Sequence, residues 1–137
     1  MQAMEISRSG LDVEWRRLEV IAENLANANT TRTANGEAYR AMRLVSGPKV
    51  GFERMLKAGD AGGVVAYGVE PVNAPPRRVL EPSNPQADAE GYVTYPGFDH
   101  AGEMTLMLKT SRAYEANLVA LGAARQMYAK ALELGRR

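Results

Sequence analysis

All seven prolines of this 137-residue chain lie between Pro48 and Pro96, and ten of its 13 glycines lie between Gly36 and Gly102. Helix breakers are therefore kept away from both ends and concentrated in the middle. That distribution predicts a helix, an irregular or β-rich centre, and a second helix. Chain termini ordinarily fray. A chain that places its best helix-forming sequence there is expected to use its ends as the assembly surfaces of a polymer.

In the first segment Met4, Leu11, Leu18 and Leu25 recur every seven residues, with Trp15 and Ala22 between them. The series 11, 15, 18, 22, 25 alternates steps of four and three, the spacing of a coiled-coil seam. Glu14, Arg17, Glu19 and Glu23 flank the seam and are expected in water. The helix is expected to fade at 27–29, because asparagine is a poor interior residue and a good terminator. Gly10 is expected to break or bend the first turn.

In the last segment Met107, Ser111, Tyr114, Leu118, Leu121, Arg125, Tyr128 and Leu132 carry the same spacing. Ser111 and Arg125 are polar members of that seam, of the kind that fixes register or partner at a cost in stability. Alanines at 116, 120, 123, 124, 129 and 131 favour a helix and permit close approach. About 30 residues at 1.5 Å each make a rod on the order of 45 Å long. The shared spacing predicts that the two segments pair with each other.

The middle carries weaker signals. Asn35-Gly36 marks a turn that begins a hairpin. Residues 39–45, 64–69 and 92–95 are expected as short strands, 52–57 as a short helical turn, and 59–63 as a flexible link. Pro71, Pro75 and Pro76 allow only edge or extended conformation between them. The expected product is a small β element, not a large sheet.

The composition excludes several functions. There is no cysteine, hence no disulfide and no thiolate chemistry. The net charge of +1 gives no electrostatic footprint for nucleic acid. No apolar run approaches the roughly 20 residues of a membrane helix, and the first eight residues lack the pattern of a cleaved secretory signal. His100 beside Asp99 is read as a solvated loop residue rather than a metal ligand. Asp88 and Glu90 before Gly91 are read as a turn leading into a strand, since no twelve-residue calcium loop closes around them. The pair Arg77-Arg78 lacks the interleaved aromatics of a nucleic-acid site, and Arg136-Arg137 suits the negative end of the last helix dipole. No phosphate loop, nucleophile elbow or zinc spacing is present. The sequence therefore offers no catalytic, cofactor-binding or metal residue.

The stretch Asn24-Leu25-Ala26-Asn27, followed by Ala28-Asn29-Thr30-Thr31-Arg32-Thr33, resembles the signature of bacterial flagellar rod and hook proteins. Two further stretches are similar to those of proximal-rod members of that family. They are Asn84-Pro85-Gln86-Ala87-Asp88-Ala89-Glu90-Gly91-Tyr92-Val93 with Pro96 after it, and Glu103-Met104 with Ser111-Arg112-Ala113-Tyr114-Glu115-Ala116-Asn117. The lead into the last helix, Phe98-Asp99-His100-Ala101-Gly102, departs from the family pattern and leaves the start of that helix open.

The resemblance implies an α+β fold in which the terminal helices pair as an antiparallel coiled coil around a small irregular, β-containing middle. Residues 1–33 and 103–137 would form the helical assembly domain and 34–102 the middle segment. It implies a non-enzymatic structural subunit of the proximal rod, a drive shaft transmitting torque across the periplasm. Its partners would be further copies of itself, other flagellar rod proteins and the flagellar type III export apparatus. It would be exported without a cleaved signal peptide, with no cofactor, no nucleic acid and no membrane insertion. Isolated helices of this length are marginal in water, so the ends are expected to be partly disordered before assembly. The alternatives are another axial rod or hook component, or a stand-alone helical-hairpin adaptor or chaperone.

The residues expected at the assembly interface are Leu11, Trp15, Leu18, Asn24, Leu25, Asn27 and Asn29 in the first segment. Tyr114, Asn117, Leu118, Leu121 and Tyr128 join them from the last. For Asn24, Asn27 and Asn29 two readings stand: hydrogen bonds across subunits, or local satisfaction of the open carbonyls at a helix end.

Overall fold

A computed structural model describes residues 2–58 and 62–135. Seven elements follow in order: α1 (Gln2–Ala26), β1 (Met42–Pro48), α2 (Phe52–Ala58), β2 (Val64–Pro71), β3 (Arg77–Leu80), β4 (Tyr92–Tyr95) and α3 (His100–Leu134). The fold is α+β, with two long terminal helices around a small β-containing middle. Residues 59–61 of the expected link, and the terminal arginine pair, lie outside the described residues.

α1 and α3 pack along each other in opposite directions. The carboxamide of Asn117 lies against the Cα of Gly10, the Trp15 and Tyr114 rings stand 6.1 Å apart, and Asn24 bonds to Glu103 at 3.2 Å. Contacts that advance along α1 thus retreat along α3. Gly10 does not break α1, where the sequence expectation was a break or a bend. The helix runs through it, and a Cβ there would sit 2.8 Å from the Asn117 side-chain oxygen. The glycine is the point where the two helices come close.

The first helix is packed on two sides, where the sequence reading saw one stripe. Val13 and Val20 form a core with Leu44, flanked by Met42 and Ala66. Full burial of each such side chain contributes about 1.5–3 kcal/mol. On the same side Arg17 reaches over the β1–β2 hairpin to Ser46 Oγ at 2.8 Å, and Glu14 braces it at 3.1 Å. Glu14 and Arg17 are therefore half-buried rather than solvated. The hairpin needs a roof, because a two-stranded ribbon is marginal alone.

β1 and β2 pair antiparallel from Met42↔Pro71 to Pro48↔Val64, with Tyr67 bulged out between Ser46↔Ala66 and Val45↔Gly68. Each strand carries its proline at its last position, where a missing N–H does least harm. The strand expected at 39–45 begins instead at Met42, three residues later. α2 lies between these strands where a helical turn is expected. β3 and β4 form a second antiparallel pair, Arg77↔Tyr95 to Leu80↔Tyr92. No described element packs against this second pair as the first hairpin packs on α1. It is tied to the segment after α1 by a hydrogen bond from Thr31 Oγ1 to Gln86 Oε1.

The turn expected at Asn35-Gly36 is present. Gly36 takes φ +81°, and its N–H donates to Thr33 O at 2.9 Å. The start of the last helix is also settled. Asp99 caps it, accepting from Gly102 N–H at 3.0 Å, so His100 is the first helical residue and not part of a loop.

Candidate assembly site

The signature after α1 is built around Asn24, which is fully buried. Its Nδ2 donates to Met42 O at 2.8 Å and to Glu103 Oε2 at 3.2 Å. Its Oδ1 accepts from Met42 N–H at 2.8 Å and from the Tyr39 hydroxyl at 3.0 Å. A carboxamide has two donors and two acceptor sites, so all four are used. Asn24 thereby holds α1, the first residue of β1 and the first turn of α3 together. It also explains why β1 starts at Met42.

Glu103 is 2% exposed and pairs with Arg43, which follows Met42 in β1. A carboxylate at that depth is costly unless paired and hydrogen-bonded. Here it has the Arg43 guanidinium on one oxygen and Asn24 on the other. The Tyr39 phenol is pushed above its ordinary value, first by burial and then by the negative charges of Glu23 and Glu103. It therefore stays a donor to Asn24. Among the described residues no buried side-chain nitrogen or oxygen lacks a partner.

Asn27 behaves locally. Its Nδ2 donates to Glu23 O at 2.9 Å, a carbonyl that also accepts from the Asn27 N–H at 3.1 Å, and its Oδ1 accepts from Thr30 Oγ1 at 3.0 Å. Asn29 is exposed. The three asparagines thus have three separate placements.

Leu11, Leu18 and Leu25 are half-buried, but Trp15 is 55% exposed and Ala22 lies in water. On α3 the positions turned to α1 are Glu103, Thr110, Asn117 and Ala124, interleaved with Met107, Tyr114 and Leu121. The expected seam placed Ser111, Leu118, Arg125 and Leu132 in the first set. The inward positions 110, 117 and 124 each lie one residue before the expected 111, 118 and 125, while Met107, Tyr114 and Leu121 belong to both sets. Small and polar residues fill the inward positions because Gly10 and Asn24 face them at close range. Leu118 at 53% and Tyr128 at 44% exposure are left in solvent. Met104, Leu108, Leu118 and Val119 make an exposed apolar stripe along α3. Glu103, Tyr39, Arg43 and Thr110 are the residues that sequence reasoning missed. The seven-residue series 103, 110, 117, 124 was the readable signal, masked by its polarity.

The Asp88 turn leads into β4 as expected. Asp88 Oδ1 accepts from Tyr92 N–H at 2.8 Å and Glu90 N–H at 3.0 Å, while Arg78 reaches Oδ2 at 2.6 Å. The Tyr92 bond, above all, holds this carboxyl below its usual range, with Arg78 adding to it. Among the described residues no group of three or more His, Asp or Glu is placed to hold a metal. None of the described helices is long and apolar enough to cross a membrane.

Paired terminal helices with large apolar side chains left outward define a structural subunit of a larger assembly. Residues 4–32 match the family model for flagella basal body rod protein, and residues 89–134 match that for the flagellar basal body rod FlgEFG protein C-terminal region. The chain is similar to proteins named flagellar basal-body rod protein FlgC from several bacteria. It is 39% identical to that of Salmonella typhimurium, covering 98% of this chain and 97% of that one. It is 36% identical to that of Bacillus subtilis over the same shares, and 30% identical to that of Borreliella burgdorferi, covering 96% and 95%. The chain belongs to the FlgC family of flagellar basal-body rod proteins. It is a structural rod component of the flagellar basal body, and other rod components are its assembly partners.

Proposed function

We propose that this chain builds the proximal part of the rod through residues 1–33 and 103–137, with 34–102 as a separate middle segment. It acts mechanically rather than as an enzyme, passing torque across the periplasm. It reaches that place through the flagellar type III export apparatus without a cleaved signal. The observation that carries the assembly reading is surface area. The chain exposes 9998 Å². A compact monomer of 14.9 kDa exposes about 7000 Å². The excess of about 3000 Å² is surface that a compact monomer of this mass would have buried within itself and that neighbours can cover.

The apolar side chains on that surface supply the contact chemistry. Trp15, Leu118 and Tyr128, with the stripe of Met104, Leu108 and Val119, are the residues that meet neighbouring subunits. The half-buried Leu11, Leu18, Leu25, Tyr114, Asn117 and Leu121 support them from beneath. Asn24 contributes by holding the hairpin in shape, Asn27 by ending α1, and Asn29 by direct contact.

The test is the double variant Leu118→Glu, Val119→Glu. Both positions are exposed, so the isolated chain should keep its stability within about 0.5 kcal/mol. Two charges per copy at a repeated apolar contact should abolish rod formation, seen by imaging the purified chain with the other rod proteins, and abolish swimming. Wild-type rods from this variant refute the assignment of that face.

A further inference from the structure

An apolar seam with a seven-residue period does not choose its own stagger. Leu11, Leu18 and Leu25 of α1 and Met107, Tyr114 and Leu121 of α3 are half-buried large residues of the paired helices. Sliding α3 by one heptad offers α1 Tyr114, Leu121 and Tyr128 instead, an equally apolar set. α3 is long enough for this, with 35 residues against the 25 of α1. Among the described residues the β3–β4 pair makes no packing contact with either long helix, and α3 joins it through the four-residue link 96–99, in which Gly97 lies close against the Pro75 backbone.

The polar positions do distinguish the two arrangements. In the observed one, buried Asn24 meets buried Glu103 at 3.2 Å, and Gly10 accommodates the Asn117 side chain. After a slide of one heptad Asn24 would face Thr110, and Glu103 would leave Arg43 behind. A single buried polar position is the best-attested device for fixing helix register.

We propose that the Asn24–Glu103 pair sets the axial register of α1 against α3, selecting the observed stagger over one displaced by a heptad. Both are positioning residues. Asn24 ties the choice to the rest of the chain, because the same carboxamide holds both backbone groups of Met42. The register of the helices and the seating of the hairpin are then one decision. This inference concerns contacts within a single chain and does not depend on how copies assemble.

The chain has no cysteine, so two can be introduced without interference. Spin labels at Asp12→Cys and Glu115→Cys sit level along the helix axis in the observed stagger and on exposed positions. A one-heptad slide separates them by about 10 Å along the axis. In the full chain in solution, the pulsed dipolar spectrum should give one distance. Glu103→Gln, which keeps the bond to Asn24, should preserve it. Asn24→Leu should add a second population displaced by a heptad. The exchange Glu103→Thr with Thr110→Glu moves the partner one heptad along α3, and it should move the main distance with it. That exchange keeps the composition of α3 and gives a reading even where Asn24→Leu does not fold.

An unshifted single distance in the exchanged chain overturns the proposal. So does loss of helix pairing in that chain, because the second register was then never within reach. A broad distribution in the unsubstituted chain overturns it too, since no stagger is then set.

Discussion

Asn24→Asp is nearly isosteric and isolates the polarity of the buried site. It keeps the acceptors for Met42 N–H and Tyr39 but removes both donors, at 2.8 Å to Met42 O and 3.2 Å to Glu103 Oε2. Each lost bond is worth about 0.5–1.5 kcal/mol, and more where a buried acceptor is left unpaired. The new carboxyl also sits against Glu103, itself 2% exposed. Two carboxylates in one buried site hold a proton between them. Like charge in a buried site disfavours a second ionised carboxyl, so the one introduced at position 24 is held above the range of an unfolded aspartate. The deficit at pH 7 should therefore exceed the roughly 1–3 kcal/mol of the two lost bonds. A carboxyl whose folded pKa is raised contributes stability that is present below the unfolded value and lost as pH rises through the folded one. The variant should therefore lie within about 1–3 kcal/mol of the unsubstituted chain at pH 4, from the lost bonds alone. Urea unfolding of both chains at pH 4 and pH 7, followed by helical circular dichroism, reads this directly. Equal deficits at the two pH values refute the carboxylate pairing.

Two glycines in the helices should respond oppositely to substitution. Gly10→Leu pushes into Asn117 and should cost about 1–3 kcal/mol in unfolding measurements, whereas Gly122→Ala, with open space around it, should add about 0.5–1 kcal/mol. The Asp88 turn should be acid-labile. Its carboxyl is held low by Tyr92 N–H, so the stabilisation is present above the ordinary value of 3.8 and lost as pH falls through the folded value. Amide exchange at Tyr92 should accelerate there, and Asp88→Asn should remove the pH dependence.

The sequence located the long helices because their signals are local. Breakers were confined to the middle, and propensity and period agreed over many turns. The strands at Val64–Pro71 and Tyr92–Tyr95 were legible for a similar reason, being runs of β-branched and aromatic residues. β3 was not. Arg77–Leu80 follows two prolines and is a strand only because β4 pairs with it. The start of β1 was likewise set from a distance, by the Asn24 carboxamide at Met42. On α3 the expected Met107, Tyr114 and Leu121 do lie on the inward side, but the positions between them were read one residue late, at 111, 118 and 125. The close approach at Gly10 and the polar pair at Glu103 instead turn small and polar residues inward. At the candidate site the asparagines were visible, but not their different placements. Those depend on Glu103, Tyr39 and Met42, up to 79 residues away.

The two unlike contacts at the ends of the helix pair bear on stiffness. Gly10 against Asn117 and Asn24 against Glu103 are separated by fourteen residues on each helix, about 21 Å. Between them, buried Thr110 apart, the contact is mostly apolar, and apolar contact gives little resistance to sliding, because dispersion and hydrophobic burial have no direction. A steric notch at one end and a hydrogen-bonded clamp at the other behave like two pins through a laminated beam. Pinned at both points, the laminate bends and twists as one piece, and a strain applied to either helix appears at once in the other.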